Sequence, residues 1–423
     1  MIRLGRVLGA LGIAVTMACQ PASAQPTGEI SLMNWLGGAD AAVIKQVIAG
    51  FEAKYPDLTI KQVPVTTSGD QRGGIRTALL GGQKVDLIIN AWPAFRKELA
   101  DAGMLRDVSS VWTEKNWDSL LSPTWRELST TDGAVYGVPY IFGYRSGIWH
   151  EPQDLTRIGL TAFPADWNGF TATFEPLRKA GFAEPVALPG KIYGHSEWFE
   201  SLLLRVGGPE VINELASHKI KWTDERLVKA LQFYSEMMAK GCCADIQTIY
   251  ASHWDDAADR LFVDRSANYL LIGMWINARA RSQYHLEPGK DYALGKFPAF
   301  GLGHDDDSLV DSKEVLATNL GANAEGADLF LDYLINGEGA GIIAKAGFTV
   351  PTSAVDISAY DPVAASSVGY VKAGKVHFVL GDMLPGQLVD EYRVALQKFI
   401  ANPVEAQIMP TLEQIEAVAA QSY

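Results

Sequence analysis

Residues 29–56 read EISLMNWLGGADAAVIKQVIAGFEAKYP. In Glu29-Ile-Ser-Leu-Met-Asn-Trp35 apolar and polar side chains alternate, the period of a strand. Gly37-Gly38 interrupt it. From about Asp40 the period lengthens, and Val43, Ile44, Val47, Ile48 and Phe51 fall on one helical face that Tyr55-Pro56-Asp57 ends. A second strand is expected over 58–65. Ser68 can cap a helix carrying Ile75, Leu79 and Leu80, which Gly81-Gly82 terminates. Val85-Asp-Leu-Ile-Ile89 is a short apolar run of the kind buried on both faces of a parallel sheet. Phe95, Leu99 and Ala102 mark the next helix, ending at Gly103. This alternation predicts an α/β sheet with parallel strands.

The rest of the chain repeats the pattern with more helix. Thr223 reads as an N-cap, with Leu227, Leu231, Tyr234 and Met238 forming an apolar stripe up to Lys240-Gly241. Tyr269-Leu-Leu-Ile272 reads as a buried strand. Ala327, Phe330, Leu331 and Leu334 mark a helix stopped at Gly337. The stretch from Leu388 to Tyr423 reads as helix broken near Pro403 and Pro410. No fixed-period repeat and no low-complexity linker occurs, so the chain is expected to cross between domains more than once.

The chain has 423 residues, enough for two or three domains with substantial cores. Hydrophobic residues make up 48 % and charged residues 20 %, which is globular composition rather than disorder. The net charge of −13 argues against a nucleic-acid-binding surface and against broad attachment to anionic lipid. Residues 1–24 carry Arg3 and Arg6, an apolar run from Leu8 to Ala18, and Ala22-Ser23-Ala24, the pattern of a cleavable secretory signal peptide. The alternative, a lipoprotein signal ending at Cys19, lacks the expected apolar residue at Thr16. Cleavage would leave 34 basic against 49 acidic residues, a charge of −15 over 399 residues, and a periplasmic protein is expected. Cys242 and Cys243 are neighbours, read as small buried side chains near a helix end; two thiols or a bridge both fit.

Catalytic signatures are missing: there is no G-x-S-x-G elbow, P-loop, G-x-G-x-x-G after a strand, or H-E-x-x-H. His304-Asp305-Asp306-Asp307 lacks calcium-loop spacing and reads as an acidic turn. Asp255 and Asp256 are adjacent, which on a helix points them about 100° apart, a poor start for a pair of glycosidase carboxylates. No cofactor and no metal are expected, and no enzyme.

Five segments, in order, resemble extracellular solute-binding proteins of carbohydrate ABC transporters, the broad family of maltose-binding protein. Asn34-Trp-Leu-Gly-Gly38 with Phe51-Glu-Ala-Lys-Tyr-Pro56 is similar to the family's first strand, turn and "F-E-x-x-Y-P" helix end. Ala78 to Ile89 is similar to its "G-x-x-P-D" strand, with Val85 in place of Pro. Gly133-Ala-Val-Tyr-Gly-Val-Pro-Tyr140 is close to the "G-K-x-Y-G-x-P" hairpin, after which Trp149-His150 replaces the usual Tyr-Asn and Asp166 a usual Thr. Ile272-Gly-Met-Trp275 with Glu287-Pro-Gly-Lys-Asp291 resembles "G-x-W … P-G-x-D", and Phe330 to Pro351 the family's helix and return. The resemblance implies the type II periplasmic-binding-protein fold, with discontinuous lobes joined by hinge crossings: 25–139 plus 316–349, and 140–315 plus 350–423. It implies a monomeric receptor that closes on a carbohydrate and delivers it to ABC permease subunits in the inner membrane.

Sugars offer apolar C–H faces and hydroxyls, so a binder needs aromatic plates and fixed polar partners. Trp35, Trp92 and Trp275 follow apolar strands, where an open α/β sheet takes its ligand. Each also fits as a core plug. Asp40 is either a hydroxyl acceptor or an N-cap. Tyr144 and Arg145 follow the Pro139 crossing, with Arg145 either a fork for hydroxyls or carboxylate, or a hinge ion pair. Glu197 and Trp198 match a second-lobe contact segment, with Ser196 as the alternative to Glu197. Two other functions compete: the same fold tuned to a non-sugar solute (sugar acid, polyol or polyamine), and an exported polysaccharide-active enzyme.

Overall fold

A computed structural model describes residue 1 and residues 25–65 and 71–423. Residues 2–24 of the expected leader and the cap Ser68 lie outside the described residues. The opening stretch folds as read: β1 (Gly28–Asn34), the helix Gly38–Lys54, β2 (Leu58–Pro64), the helix Gln71–Leu80 and β3 (Leu87–Asn90). The helix Pro93–Asp101 follows, then β4 (Thr130–Thr131), β5 (Ala134–Val135), β6 (Gly137–Tyr144) and β7 (Gly147–His150). Later strands are β8 (Glu184–Val186), β9 (Ala267–Leu271), β10 (Ala293–Lys296), β11 (Ser308–Ala317) and β12 (Val376–Phe378).

The first sheet runs β12-β11-β3-β1-β2, with β6 also on β11; β1 is parallel to β2 and β3. The second sheet runs β10-β7-β9-β8. β11 is ten residues long and wholly buried. β6 covers one edge of it from Val310 to Leu316, while β12 takes the other edge at Ser308–Val310 and β3 at Glu314–Ala317. The chain passes from the first sheet to the second through β6 into β7, and returns through β10 into β11. The expected lobe boundaries 139/140 and 315/316 fall inside these two strands. The boundary 349/350 falls where Thr349 bridges to Phe142 of β6. Two-lobed α/β architecture is thus present, with β6 and β11 as its hinge.

A register shift separates Lys313 and Glu314, which face Ile141 and Pro139, so Tyr140 is the extra residue of a bulge. Proline donates no N–H and is tolerated inside a sheet at such a place. Gly137 allows the two strands to close: a Cβ there would stand 1.9 Å from the Val315 carbonyl oxygen.

Several local expectations are corrected. The cap before Glu225–Ala239 is Asp224, whose carboxylate accepts from the Arg226 amide, rather than Thr223. Gly337 does not end helical structure; Asn336 closes Ala324–Ile335 and its side chain caps Gly337–Lys345. Pro403 lies in a break, but Pro410 sits within the helix Glu405–Ser422. Ile408, Leu412, Ile415 and Ala419 of that helix are buried against its neighbours, packing that outweighs one missing backbone bond. Cys242 and Cys243 are buried near a helix end, as read, and are disulfide-bonded to each other. The acidic turn is wired to the fold: Asp305 accepts from the Phe300 amide, Asp306 pairs with Lys296, and the buried Arg205 donates to the carbonyls of His304 and Asp307. Asp256 takes part in a capping box with His253.

Candidate functional site

β1 and β3 end at Asn34 and Asn90, and the half-buried Trp35 and Trp92 follow directly or after one residue. The two indoles lie 5.0 Å apart, tilted by 36°. Trp35 donates its Nε1–H to the Ile89 carbonyl at 3.0 Å, and the Arg72 guanidinium lies 5.6 Å from the Trp92 ring. Trp92 is the N-cap of Pro93–Asp101, with Pro93 at the first helical position. They form an aromatic wall on the first sheet.

A second aromatic group stands on the other lobe. Trp275 opens the helix Trp275–Ser282, just past β9. A Cβ at Gly273 would lie 2.0 Å from Trp275 Cζ3, so the indole can settle there only against glycine. Trp254 meets Trp275 edge-on at 5.9 Å and 78°. Trp275 Nε1 is buried without a partner.

Charged groups line the hinge between these walls. Arg145 pairs with Glu197, lies 3.7 Å from Asp311 of β11, and covers Trp275 with its guanidinium carbon 4.9 Å from the ring centre. Burial works against the charge of Arg145, and Glu197 and Asp311 outweigh it, so the guanidinium stays charged. Two residues along β11, on the same face, Lys313 pairs with Asp40 at 2.9 Å. Asp40 is in the first turn of its helix, whose N-cap is Gly37, so it is not the cap. Tyr140 Oη and Asp311 Oδ1 are buried with no hydrogen-bond partner, and Tyr140 feels the Asp40 charge. Behind Glu197, burial pushes Glu200 up to about 7 and Asp382 up to about 6. The helix Leu380–Met383, which carries Asp382, packs against Pro93–Asp101 of the opposite lobe.

The structure therefore brings Trp35 and Trp92 together on one wall, and Arg145, Glu197 and Trp275 on the other, with Asp40 at the hinge. Two expected residues are not in the cleft. Trp198 is fully buried in the second lobe's core, 6.1 Å from Phe170 and 5.9 Å from Phe297. One residue past Glu197, it is rotated about 100° round the helix and away from the hinge. Tyr144 is fully buried inside the hinge, its ring 5.4 Å from Tyr370. Adjacent residues on a strand point to opposite faces, so Arg145 reaches the cleft and Tyr144 does not. Ser196 donates to the Tyr193 carbonyl at 2.7 Å, leaving Glu197 to meet Arg145. Tyr140, Trp254, Asp311, Lys313 and Asp382 were not expected. The sequence signal for two of them was Asp311-Ser-Lys313-Glu314, charge inside an otherwise apolar strand.

The fold is a two-lobed α/β architecture whose lobes are joined at β6 and β11. Residues 37–241 match the family model of bacterial extracellular solute-binding proteins, so the resemblance read from the sequence holds. An osmoprotective compounds-binding protein of Synechocystis sp. is 27 % identical over 161 residues, 37 % of this chain and 38 % of that protein. A probable sugar-binding periplasmic protein of Mesorhizobium japonicum is 22 % identical over 291 residues, 66 % of this chain and 65 % of that protein. The chain thus matches less than two thirds of the length of these curated relatives. Among solved structures, a bacterial solute receptor described as preferring β-D-galactopyranose superimposes with a TM-score of 0.80 at 19 % identity, over 93 % of this chain and 99 % of that one. At that identity the likeness is one of fold.

Proposed function

We propose that the protein is the extracellular receptor of an ABC importer, holding a neutral sugar or related polyhydroxylated solute between its lobes and delivering it to the permease. The observation that carries this reading is the combination at the hinge: aromatic rings on both lobes, with the buried Tyr140 hydroxyl, Trp275 indole and Asp311 carboxylate atoms that lack hydrogen-bond partners. Aromatic faces suit the C–H face of a pyranose, and unpartnered polar atoms suit its hydroxyls. The family supports binding rather than catalysis. An exported leader over 1–24 fits the same role.

Arg145 does not favour a sugar acid. Its guanidinium already faces two carboxylates, Glu197 and Asp311, so an acidic ligand would have to displace one and leave it buried and unpaired. Titration calorimetry and tryptophan fluorescence with D-glucose, D-galactose, maltose and D-glucuronate test the reading. A neutral sugar is expected to bind and to change the emission. Heat and emission unchanged by all four, together with no binding of other neutral sugars or polyols, would reject it. Tighter binding of glucuronate than of glucose would reject the neutral-ligand part alone.

A further inference from the structure

The Trp35–Trp92 wall is linked to the hinge by a chain of hydrogen bonds through three buried side chains. Glu314, directly after the register shift in β11, stands opposite Asn90 of β3. Its Oε1 accepts from the Asn90 side-chain amide at 2.7 Å, and its Oε2 from Arg96 Nη1 at 2.5 Å. The same Asn90 nitrogen donates to the Trp92 carbonyl at 2.9 Å. That carbonyl also takes the Arg96 amide, the first bond of the helix Pro93–Asp101. Arg96 further donates to Thr131 Oγ1 and to the Leu128 carbonyl, both at 2.8 Å. Asn90, Arg96 and Glu314 are each at most 4 % exposed.

We propose that Asn90 and Glu314 are positioning residues for the ligand cleft: from the hinge bulge they fix the Trp92 backbone, and with it the Trp35–Trp92 aromatic wall. The inference rests on the reading that this wall faces ligand. An ion pair serving stability alone would need Arg96 and Glu314, both already satisfied by groups other than Trp92. Asn90 is the member that carries the contact from hinge strand to wall. It has a single amide nitrogen shared between the Glu314 carboxylate and the Trp92 carbonyl, so movement of β11 at its bulge is felt at Trp92. Positioning of this kind sets affinity through a rigid contact surface rather than through new contacts.

Asn90→Ala cuts this link and leaves the Arg96–Glu314 pair intact. Two indoles at 5.0 Å are expected to give a strong near-ultraviolet circular dichroism signal, identified as the part lost in Trp92→Phe. Asn90→Ala is expected to remove at least about half of that part in the ligand-free protein, whatever its ligand is. With D-galactose or maltose as probe, Kd is expected to rise about tenfold in Asn90→Ala, the loss of one buried hydrogen bond's worth of order. On a Trp92→Ala background the same substitution is expected to change Kd by less than about twofold, since its route to the ligand is gone. A native dichroism signal in Asn90→Ala, or an equal rise in Kd with and without Trp92, would overturn the inference. Failure of the wild type to bind any sugar would count against the proposed function instead, and the dichroism result would still decide the positioning.

Discussion

Glu197 and Glu200 are three apart on the helix Gly194–Ala216 and so share one face. Glu197 meets Arg145, whereas Glu200 accepts from the amides of Leu380 and Gly381 and from Tyr392 Oη. It therefore holds the short helix that touches the opposite lobe. Burial, reinforced by Asp382, lifts Glu200 to about 7. Its value in the unfolded chain is about 4.3, so folding favours the protonated form. The stabilisation it brings is complete below pH 4.3 and is lost as pH rises through 7. Glu200→Gln keeps an oxygen for the Leu380 amide and cannot ionise. The variant is expected to gain on the wild type by on the order of 2 kcal/mol between pH 5 and pH 8. Urea denaturation across that range checks this; a stability difference independent of pH contradicts it. His195 is pushed down to about 4 by burial, and its stabilisation is lost as pH falls from 6.5 through 4. Both proteins contain it, so it cancels from the comparison.

At the scale of elements, the hinge depends on Gly137, the glycine before Val138-Pro139 in the quoted hairpin motif. Gly137→Ala would place a methyl 1.9 Å from the Val315 carbonyl oxygen, against β11 backbone that cannot turn aside, and is expected to cost more than about 2 kcal/mol. Gly369→Ala, in the helix Pro362–Ala373 with nothing within 4 Å of the new methyl, is expected to stabilise by about 0.5–1 kcal/mol. Opposite signs from one substitution type, read by chemical denaturation, test the packing description; equal effects would refute it. The β1–helix–β2 unit and β3 were legible because period and turn residues agree there, as in Val43 to Phe51 before Tyr55-Pro56. Pro410 misled because local propensity lost to the packing of Ile408 and Leu412. The positions of Trp35, Trp92 and Trp275 past strand ends were legible from the apolar runs before them. Trp198 was misplaced because a family register cannot resolve a single helical step. Asp311 and Lys313 stood out as charges in an apolar strand, but their pairing was illegible because their partners, Arg145 and Asp40, lie 166 and 273 positions away.

On the scale of the whole molecule, two lobes could unfold separately, yet the buried groups argue otherwise. One hydrophobic cluster unites Ile30 and Leu32 of β1 and Leu87 and Ile89 of β3 with Trp149 of β7, Leu270 of β9 and Leu294 of β10. Their neighbours Ile148, Tyr269 and Leu271 turn the other way into the core formed with the helices Gly194–Ala216, Glu225–Ala239 and Gly386–Ala401. The second sheet thus shares a core with each side, and β6 and β11 are pinned to both. Melting one lobe would expose the Trp149 side of the cluster and break the Asp40–Lys313 pair, leaving a buried charge without its partner. A single cooperative transition is therefore expected by calorimetry, with calorimetric and van't Hoff enthalpies in agreement. A sugar at a hundred times its Kd should move that one transition upward by about 2.7 kcal/mol of added stability, without splitting it. Two resolved transitions, of which sugar shifts only one, would mean that the shared cluster does not couple the lobes, and that ligand is held by one of them alone.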